Sequence, residues 1–247
     1  MLSLSMIQRK IDKSLKTVGW MGTLRRFVRY CYDRIANLLS PTRRQNRHRD
    51  LNFDRIHNVS TEGIIPLSEL AVEDENWIYG LQYEPTPFDD FERLIKALKI
   101  HYEDFTFIDF GSGKGRSMFL ASDYPFRRIV GVELSQELHD VCVQNISQFT
   151  SSTQRCFKLE SFASDATRFE LPPEPTVIYL ANPFTIEVMT PFIAHLKNSL
   201  ATAPRQMYVA YYYPRHADLF DAQREFQRIA TGPGFAIWES TSSNLAS

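Results

Sequence analysis

One aspartate and three glycines stand close together after a short apolar run, at Asp109, Gly111, Gly113 and Gly115. The run is typical of a β-strand and the residues that follow are typical of a helix, which is the setting of a nucleotide-binding turn. Glycine permits positive φ angles and close approach of the backbone to a ligand. The first turn of the helix adds unpaired N–H groups. The segment therefore predicts a site for a nucleotide-like ligand.

The glycine spacing differs from two common phosphate-binding turns. A P-loop needs glycine at position 108 and serine or threonine at position 115, where this chain has Ile108 and Gly115. The dinucleotide fingerprint Gly-x-Gly-x-x-Gly does not fit either, because Phe110 and Arg116 flank a Gly-x-Gly-x-Gly run. A nicotinamide-dependent oxidoreductase is therefore a disfavoured alternative.

Further polar residues follow the next predicted strands. Glu133 ends a strand 22 residues after Gly111, where an acid can bind both hydroxyls of a ribose. Asp165 and Ala166 follow the third strand, in position to meet an adenine edge, and the segment 179–184 contains the fourth strand end. Open α/β sheets bind ligands at the carboxyl ends of their strands, so we expect these groups at one edge.

Each of these residues also has a purely structural interpretation. The glycines could form a strand-to-helix turn and nothing more. Glu133 could serve the start of the next helix, since Ser135 and Glu137 follow it. Asn182 could cap the helix that begins near Ile186. The contacts of each side chain distinguish the two interpretations.

Short apolar runs alternate with helical segments through the rest of the chain. The predicted strands are Phe105–Asp109, Ile129–Glu133, Phe157–Phe162, Val177–Ala181 and Met207–Tyr211. The predicted helices are Phe88–Ile100, Met118–Asp123, Gln136–Phe149, Ile186–Leu200 and Ala217–Arg224. Residues 226–230 and 235–240 predict a closing hairpin. We expect an α/β fold that is Rossmann-like and doubly wound, with a mainly parallel seven-stranded sheet and an antiparallel last strand.

The composition is that of a globular protein. The chain has 247 residues, of which 43% are hydrophobic and 23% are charged. No apolar stretch reaches the roughly 18 residues of a transmembrane helix. Three scattered cysteines and six single histidines disfavour a disulfide framework or a metal site. We expect no transmembrane segment, no bound metal and a cytoplasmic location.

Charge divides the chain unevenly. Residues 1–50 carry 12 Lys or Arg against 3 Asp or Glu, whereas the remainder carries 16 against 26. Apolar residues at helical spacing in residues 1–50 predict two basic amphipathic helices. This extension could contact an anionic macromolecule or a membrane surface, dock on the body, or serve as an organelle-targeting peptide. We divide the chain into this extension, a cap with a lead-in helix at 51–100, and the main domain at 101–247.

Taken together, these motifs resemble the class I S-adenosylmethionine-dependent methyltransferases. The first motif of that family is similar to Asp109-x-Gly111-x-Gly113-x-Gly115, and its ribose-binding acid corresponds to Glu133. Residues 51–240 also resemble a bacterial group of largely uncharacterised methyltransferase-domain proteins. The shared motifs are Phe53-Asp54-Arg55, 83–87, the glycine turn and 179–184.

The resemblance implies S-adenosyl-L-methionine as the cofactor and assigns its methionine end to the glycine turn. Asp109 would orient the amino group, partly through water. The backbone would pass close to the methionine and the ribose at Gly111, Ser112, Gly113 and Gly115.

By the same resemblance, residues after the second and third predicted strands would bind the adenosine end of the cofactor. Glu133 would bind the ribose hydroxyls and Leu134 would pack on the adenine. Asp165 would accept from the adenine amino group, and Ala166 would add a backbone donor. Two tyrosines before the main domain would cover the cofactor, Tyr79 and Tyr83.

Asn182, Pro183 and Phe184 resemble the Asn/Asp-Pro-Pro-Tyr/Phe signature of amino-group methyltransferases, without its second proline. In that signature the Asn oxygen and a proline carbonyl accept from a planar amine, and the ring packs against it, so catalysis is mostly positioning. The resemblance implies methyl transfer to an unidentified acceptor held here, such as an amino nitrogen, with Asn182 also beside the cofactor. The missing proline leaves open a non-catalytic cofactor-binding or interaction protein with this fold.

Overall fold

The computed structural model describes residues 52–63 and 83–241, together with Trp20. The chain divides into two units, Met1–His48 and Arg49–Ser247, and every element below belongs to the second. The basic helices predicted within residues 1–50 lie outside the described residues, except for Trp20, and so does Tyr79.

Helices and strands alternate from residue 88 onward. The helices are α1 (Phe88–Leu98), α2 (Arg116–Ala121), α3 (Gln136–Gln148), α4 (Ile186–Thr202) and α5 (Ala217–Asp221). The strands are β1 (Thr106–Phe110), β2 (Arg128–Glu133), β3 (Leu159–Ala163), β4 (Thr176–Leu180), β5 (Met207–Tyr212), β6 (Phe226–Gly232) and β7 (Phe235–Ser240). A 3₁₀ turn at Tyr102–Asp104 leads into β1. Residues 52–57 are also helical, and the helices predicted from the sequence do not include them.

The seven strands form one sheet in the order β3-β2-β1-β4-β5-β7-β6. Strands β1 to β5 pair in parallel, and β7 runs antiparallel to both β5 and β6. The predicted mainly parallel, seven-stranded sheet is confirmed. The strand order reverses between β1 and β4, which is the switch point where such sheets bind ligands.

Helices cover both faces of the sheet, as the doubly wound prediction requires. Phe107 on β1 packs with α1, α2 and α3 in one core, whereas Ile108 and Phe110 pack with α4 and α5 in the other. All five residues of β1 and of β4 are buried, because a central parallel strand is covered on both faces. The central strands therefore hold the site rigidly at their carboxyl ends.

Two helix boundaries matter for the site. Helix α2 begins at Arg116, two residues earlier than predicted, because Gly115 takes a left-handed conformation with φ of 91° just before it. Helix α3 begins after Ser135, whose hydroxyl accepts from the backbone N–H of Leu138. In the described part of the chain no helix is long and apolar enough to cross a membrane.

Candidate functional site

The turn between β1 and α2 requires glycine at each of its three positions. Gly111, Gly113 and Gly115 have φ angles of 80°, 54° and 91°, which other residues adopt only at a cost. Space is also short. A Cβ atom on Gly111 would lie 2.5 Å from Pro183 Cβ, and one on Gly113 would overlap the ring of Tyr83. The turn therefore brings bare backbone against Pro183 and against the Tyr83 ring.

Asp109 lies buried at the end of β1, with 1% of its surface exposed. Its Oδ2 atom accepts a hydrogen bond from the Ser117 hydroxyl on α2. Its Oδ1 atom has no hydrogen-bond partner among the described residues, and neither has the buried Ser112 hydroxyl. Burial raises the pKa of Asp109 to about 7; the Ser117 hydrogen bond opposes this rise and the charge of Glu133 adds to it.

Glu133 contacts the glycine turn directly. Its Oε2 atom accepts from Gly113 N at 2.8 Å, and its Oε1 atom accepts from Ser135 N at 2.9 Å. Burial raises its pKa, while the backbone hydrogen bonds lower it. Glu133 thus accepts one hydrogen bond at the start of α3 and another from the glycine turn. Each carboxylate oxygen has a further lone pair for a ligand donor.

Asp165 begins a tight turn after β3. Its Oδ1 atom accepts from both the backbone N–H and the hydroxyl of Thr167, each at 2.8 Å. Ala166 is buried in the core beneath α4, while Leu134, after β2, is partly exposed. The Asp165 carboxylate therefore shapes its own loop, and its side chain is 10% exposed.

The segment 182–184 follows β4, next to the turn. Asn182 has a φ of 53°, and its Oδ1 atom accepts from the Tyr211 hydroxyl at 3.3 Å. Helix α4 is preceded by Thr185 as its N-cap residue, without a side-chain cap, so Asn182 does not fill the capping role. Pro183 packs on Gly111. Phe184 is 9% exposed and packs against Phe192 in the core, with the ring centroids 5.3 Å apart and the rings tilted.

Two residues of the site were not identified from the sequence. Arg116, the residue after the glycine turn, is 2% exposed and pairs with Asp54 at 3.3 Å. The Phe53-Asp54-Arg55 motif marked the partner residue, but no spacing rule connects positions 62 residues apart.

The strand order, the antiparallel β7 and the glycine turn at the switch point give this chain the class I methyltransferase fold. The site gathers Asp109, Glu133, Asp165 and Asn182 at the carboxyl ends of β1, β2, β3 and β4.

Comparison with known sequences finds one curated relative of interest and no matching protein-family profile. The release factor glutamine methyltransferase of Vibrio cholerae is 27% identical over 137 residues, which cover 52% of this chain. The chain spans 46% of the length of that relative.

Several solved structures align with part of this chain, each with a TM-score below 0.5. The magnesium protoporphyrin IX methyltransferase of Synechocystis, determined with bound S-adenosylmethionine, is 14% identical over 62% of this chain and 76% of its own, with a TM-score of 0.44. The ribosomal protein L11 methylase of Lactobacillus delbrueckii is 15% identical over 61% and 75%, with a TM-score of 0.42. A TehB-like methyltransferase of Corynebacterium glutamicum is 17% identical over 62% and 86%, also with a TM-score of 0.42.

Proposed function

We propose that this protein is an S-adenosylmethionine-dependent methyltransferase that transfers a methyl group to a nitrogen held beside Asn182. The observation that carries the proposal is Asp109, a buried carboxylate whose Oδ1 atom has no partner among the described residues. A buried polar atom without a hydrogen bond is costly, so a ligand donor in this position would relieve the cost. The amino group of a methionine is such a donor.

The residues around Asp109 fit the rest of the same ligand. The buried Ser112 hydroxyl is a second group without a partner in the described chain. The Glu133 carboxylate, fixed by Gly113 N and Ser135 N, has lone pairs free for the two hydroxyls of a ribose. Asp165 and Ala166 follow β3 on the far side of Glu133, where the adenine would lie. Leu134 would pack on the adenine.

When bound, S-adenosylmethionine supplies an electrophilic methyl group on a sulfonium. The protein would then contribute to catalysis mainly by placing a nucleophile in line with that methyl group. The Asn182 amide oxygen and the Pro183 carbonyl are acceptors for an N–H group of the substrate. Tyr211 holds the amide of Asn182, and Phe184 anchors the loop in the core between the sheet and α4.

The curated relative supports a nitrogen acceptor. Its name gives a glutamine of a release factor as the substrate, and a glutamine side chain carries a planar amide nitrogen. Among the described residues, the Asn182-Pro183-Phe184 loop beside the glycine turn offers acceptors for such a group. We therefore place an amide or amino nitrogen ahead of a hydroxyl as the methyl acceptor.

Isothermal calorimetry with S-adenosylmethionine and S-adenosylhomocysteine tests the cofactor, using wild type and the Asp109→Ala variant. Saturable binding that the variant loses supports the proposal. Transfer of a labelled methyl group to glutamine-containing and lysine-containing peptides then tests the acceptor. Unchanged affinity in Asp109→Ala contradicts the assignment of this site.

The alternative is a protein that binds the cofactor without catalysis. One observation favours it: Phe184, whose counterpart in the amino-group signature packs on the substrate, is 9% exposed and packs on Phe192. Cofactor binding without turnover on any nitrogen acceptor would support this alternative, and turnover would exclude it.

A further inference from the structure

Residues 52–63, here called the strap, are fastened to the glycine turn by a buried arginine. The Arg116 side chain is 2% exposed although it stands at the first position of α2, directly after Gly115. Its Nε atom donates to the Thr61 hydroxyl, and its Nη2 atom lies 3.3 Å from Asp54 Oδ1. The guanidinium also stacks 4.1 Å from the centre of the Phe53 ring. A buried guanidinium is tolerated only with such partners.

Asp54 gives the strap its shape. Its Oδ2 atom accepts from the backbone N–H groups of Thr61 at 2.6 Å and Glu62 at 2.7 Å, and its Oδ1 atom accepts from the Thr61 hydroxyl at 2.6 Å. Thr61 is wholly buried. The carboxylate therefore folds positions 61 and 62 back onto the helical segment 52–57 and fixes the direction of the Thr61 carbonyl.

The Thr61 carbonyl accepts a hydrogen bond from Tyr83, the residue that covers the turn. The Tyr83 hydroxyl donates to Thr61 O at 2.6 Å, and its ring lies so close to Gly113 that a Cβ atom there would overlap it. Gly113 N in turn donates to Glu133 Oε2 at 2.8 Å. A continuous series of contacts thus runs from Asp54 through Thr61, Tyr83 and Gly113 to Glu133.

A second set of contacts joins the strap to the other side of the turn. Lys114 Nζ donates to Glu62 O at 2.9 Å. Asn145 on α3 accepts from Ser60 N at 2.8 Å and donates to Lys114 O at 2.9 Å, so its amide bridges the strap and the turn. The turn is therefore held at Lys114 as well as at Gly113.

We infer that Asp54, Arg116 and Tyr83 are positioning residues of the cofactor site, which act through Gly113 and Glu133. The inference rests on the proposed function. The glycines make the turn intrinsically mobile, so the turn needs external contacts to stay in one conformation. The strap supplies these contacts. Cofactor affinity then depends on residues that precede the main domain in sequence.

The test measures the Kd of S-adenosylhomocysteine by calorimetry on the full chain, well below the melting temperature of each variant. Tyr83→Phe removes only the hydroxyl that reaches Thr61. Asp54→Asn removes the carboxylate charge and replaces one of its two acceptor oxygens. We expect each Kd to rise about tenfold, as the loss of one or two buried hydrogen bonds implies. The double variant should be little worse than either single variant, because both act on one series of contacts.

Tyr208→Phe is the matched control. It also removes one tyrosine hydroxyl, bonded to Glu239 at 3.0 Å, but near the amino end of β5. It should lower the melting temperature without changing the Kd. If Tyr83→Phe and Asp54→Asn likewise lower the melting temperature alone, the strap is merely structural and the inference is wrong. If wild type itself does not bind, the proposed function fails and the inference falls with it.

Discussion

Replacement of Gly111 by alanine tests the close approach of the turn to the Asn182 loop. The new Cβ atom would lie 2.5 Å from Pro183 Cβ, inside any van der Waals contact, at a residue with φ of 80°. The left-handed backbone costs about 1–2 kcal/mol for a residue with a Cβ atom, and the overlap adds about 1–3 kcal/mol. Part of this is offset by the roughly 0.4–1 kcal/mol that a Gly→Ala change gains by restricting the unfolded chain.

Gly234 provides a control with the same backbone. Its φ is 79°, and a Cβ atom there would lie 3.7 Å from the Tyr212 ring, which is ordinary contact. Urea unfolding should therefore show Gly111→Ala to be less stable than Gly234→Ala by the overlap alone, about 1–3 kcal/mol.

The affinity for S-adenosylhomocysteine also distinguishes the two variants. Displacement of Pro183 should raise the Kd of S-adenosylhomocysteine at least about tenfold in Gly111→Ala, and Gly234→Ala should stay within about twofold of wild type, since tenfold corresponds to about 1.4 kcal/mol. Equal stabilities and equal affinities for the two variants would refute the contact between the turn and Pro183.

Three other predictions follow from the same site. Because burial raises the pKa of Asp109 to about 7, affinity for a ligand ammonium should fall about tenfold per unit as pH drops below 7, and Asp109→Asn should flatten this calorimetric profile. The same shift means that folding stability falls as pH rises from about 4 towards 7, since the folded state holds the proton more tightly; urea unfolding of Asp109→Asn should lack this fall. Tyr211→Phe removes the donor to Asn182, and we expect about tenfold slower methyl transfer with an unchanged Kd for S-adenosylhomocysteine; a matching loss of affinity would place Tyr211 in the cofactor site instead.

The sheet and the glycine turn were predictable because their signals are local. Apolar runs alternate with helical segments along the chain, and right-handed crossovers then leave few possible strand orders. The glycine spacing located the turn. The acid at the end of the next predicted strand, Glu133, located the side chain of β2 that contacts this turn. Helix ends moved by a few residues, as at Arg116, where a left-handed glycine starts the helix early.

Contacts between distant segments were not predictable in this way. The sequence predicted no helix in the strap, and its helical turn at 52–57 contacts partners far along the chain, such as Arg116. The burial of Phe184 under α4 was also missed, because an aromatic residue after a strand is equally compatible with the core and with a substrate pocket.

The central claim is that the edge formed by Asp109, the glycine turn and Glu133 binds S-adenosylmethionine. The most direct test is calorimetry of S-adenosylmethionine and S-adenosylhomocysteine with the full chain and with Glu133→Ala, whose carboxylate reaches both Gly113 and Ser135. Saturable binding by wild type that the folded variant loses is the result we predict. Absence of binding to folded wild type, or equal affinity in the variant, would contradict the account.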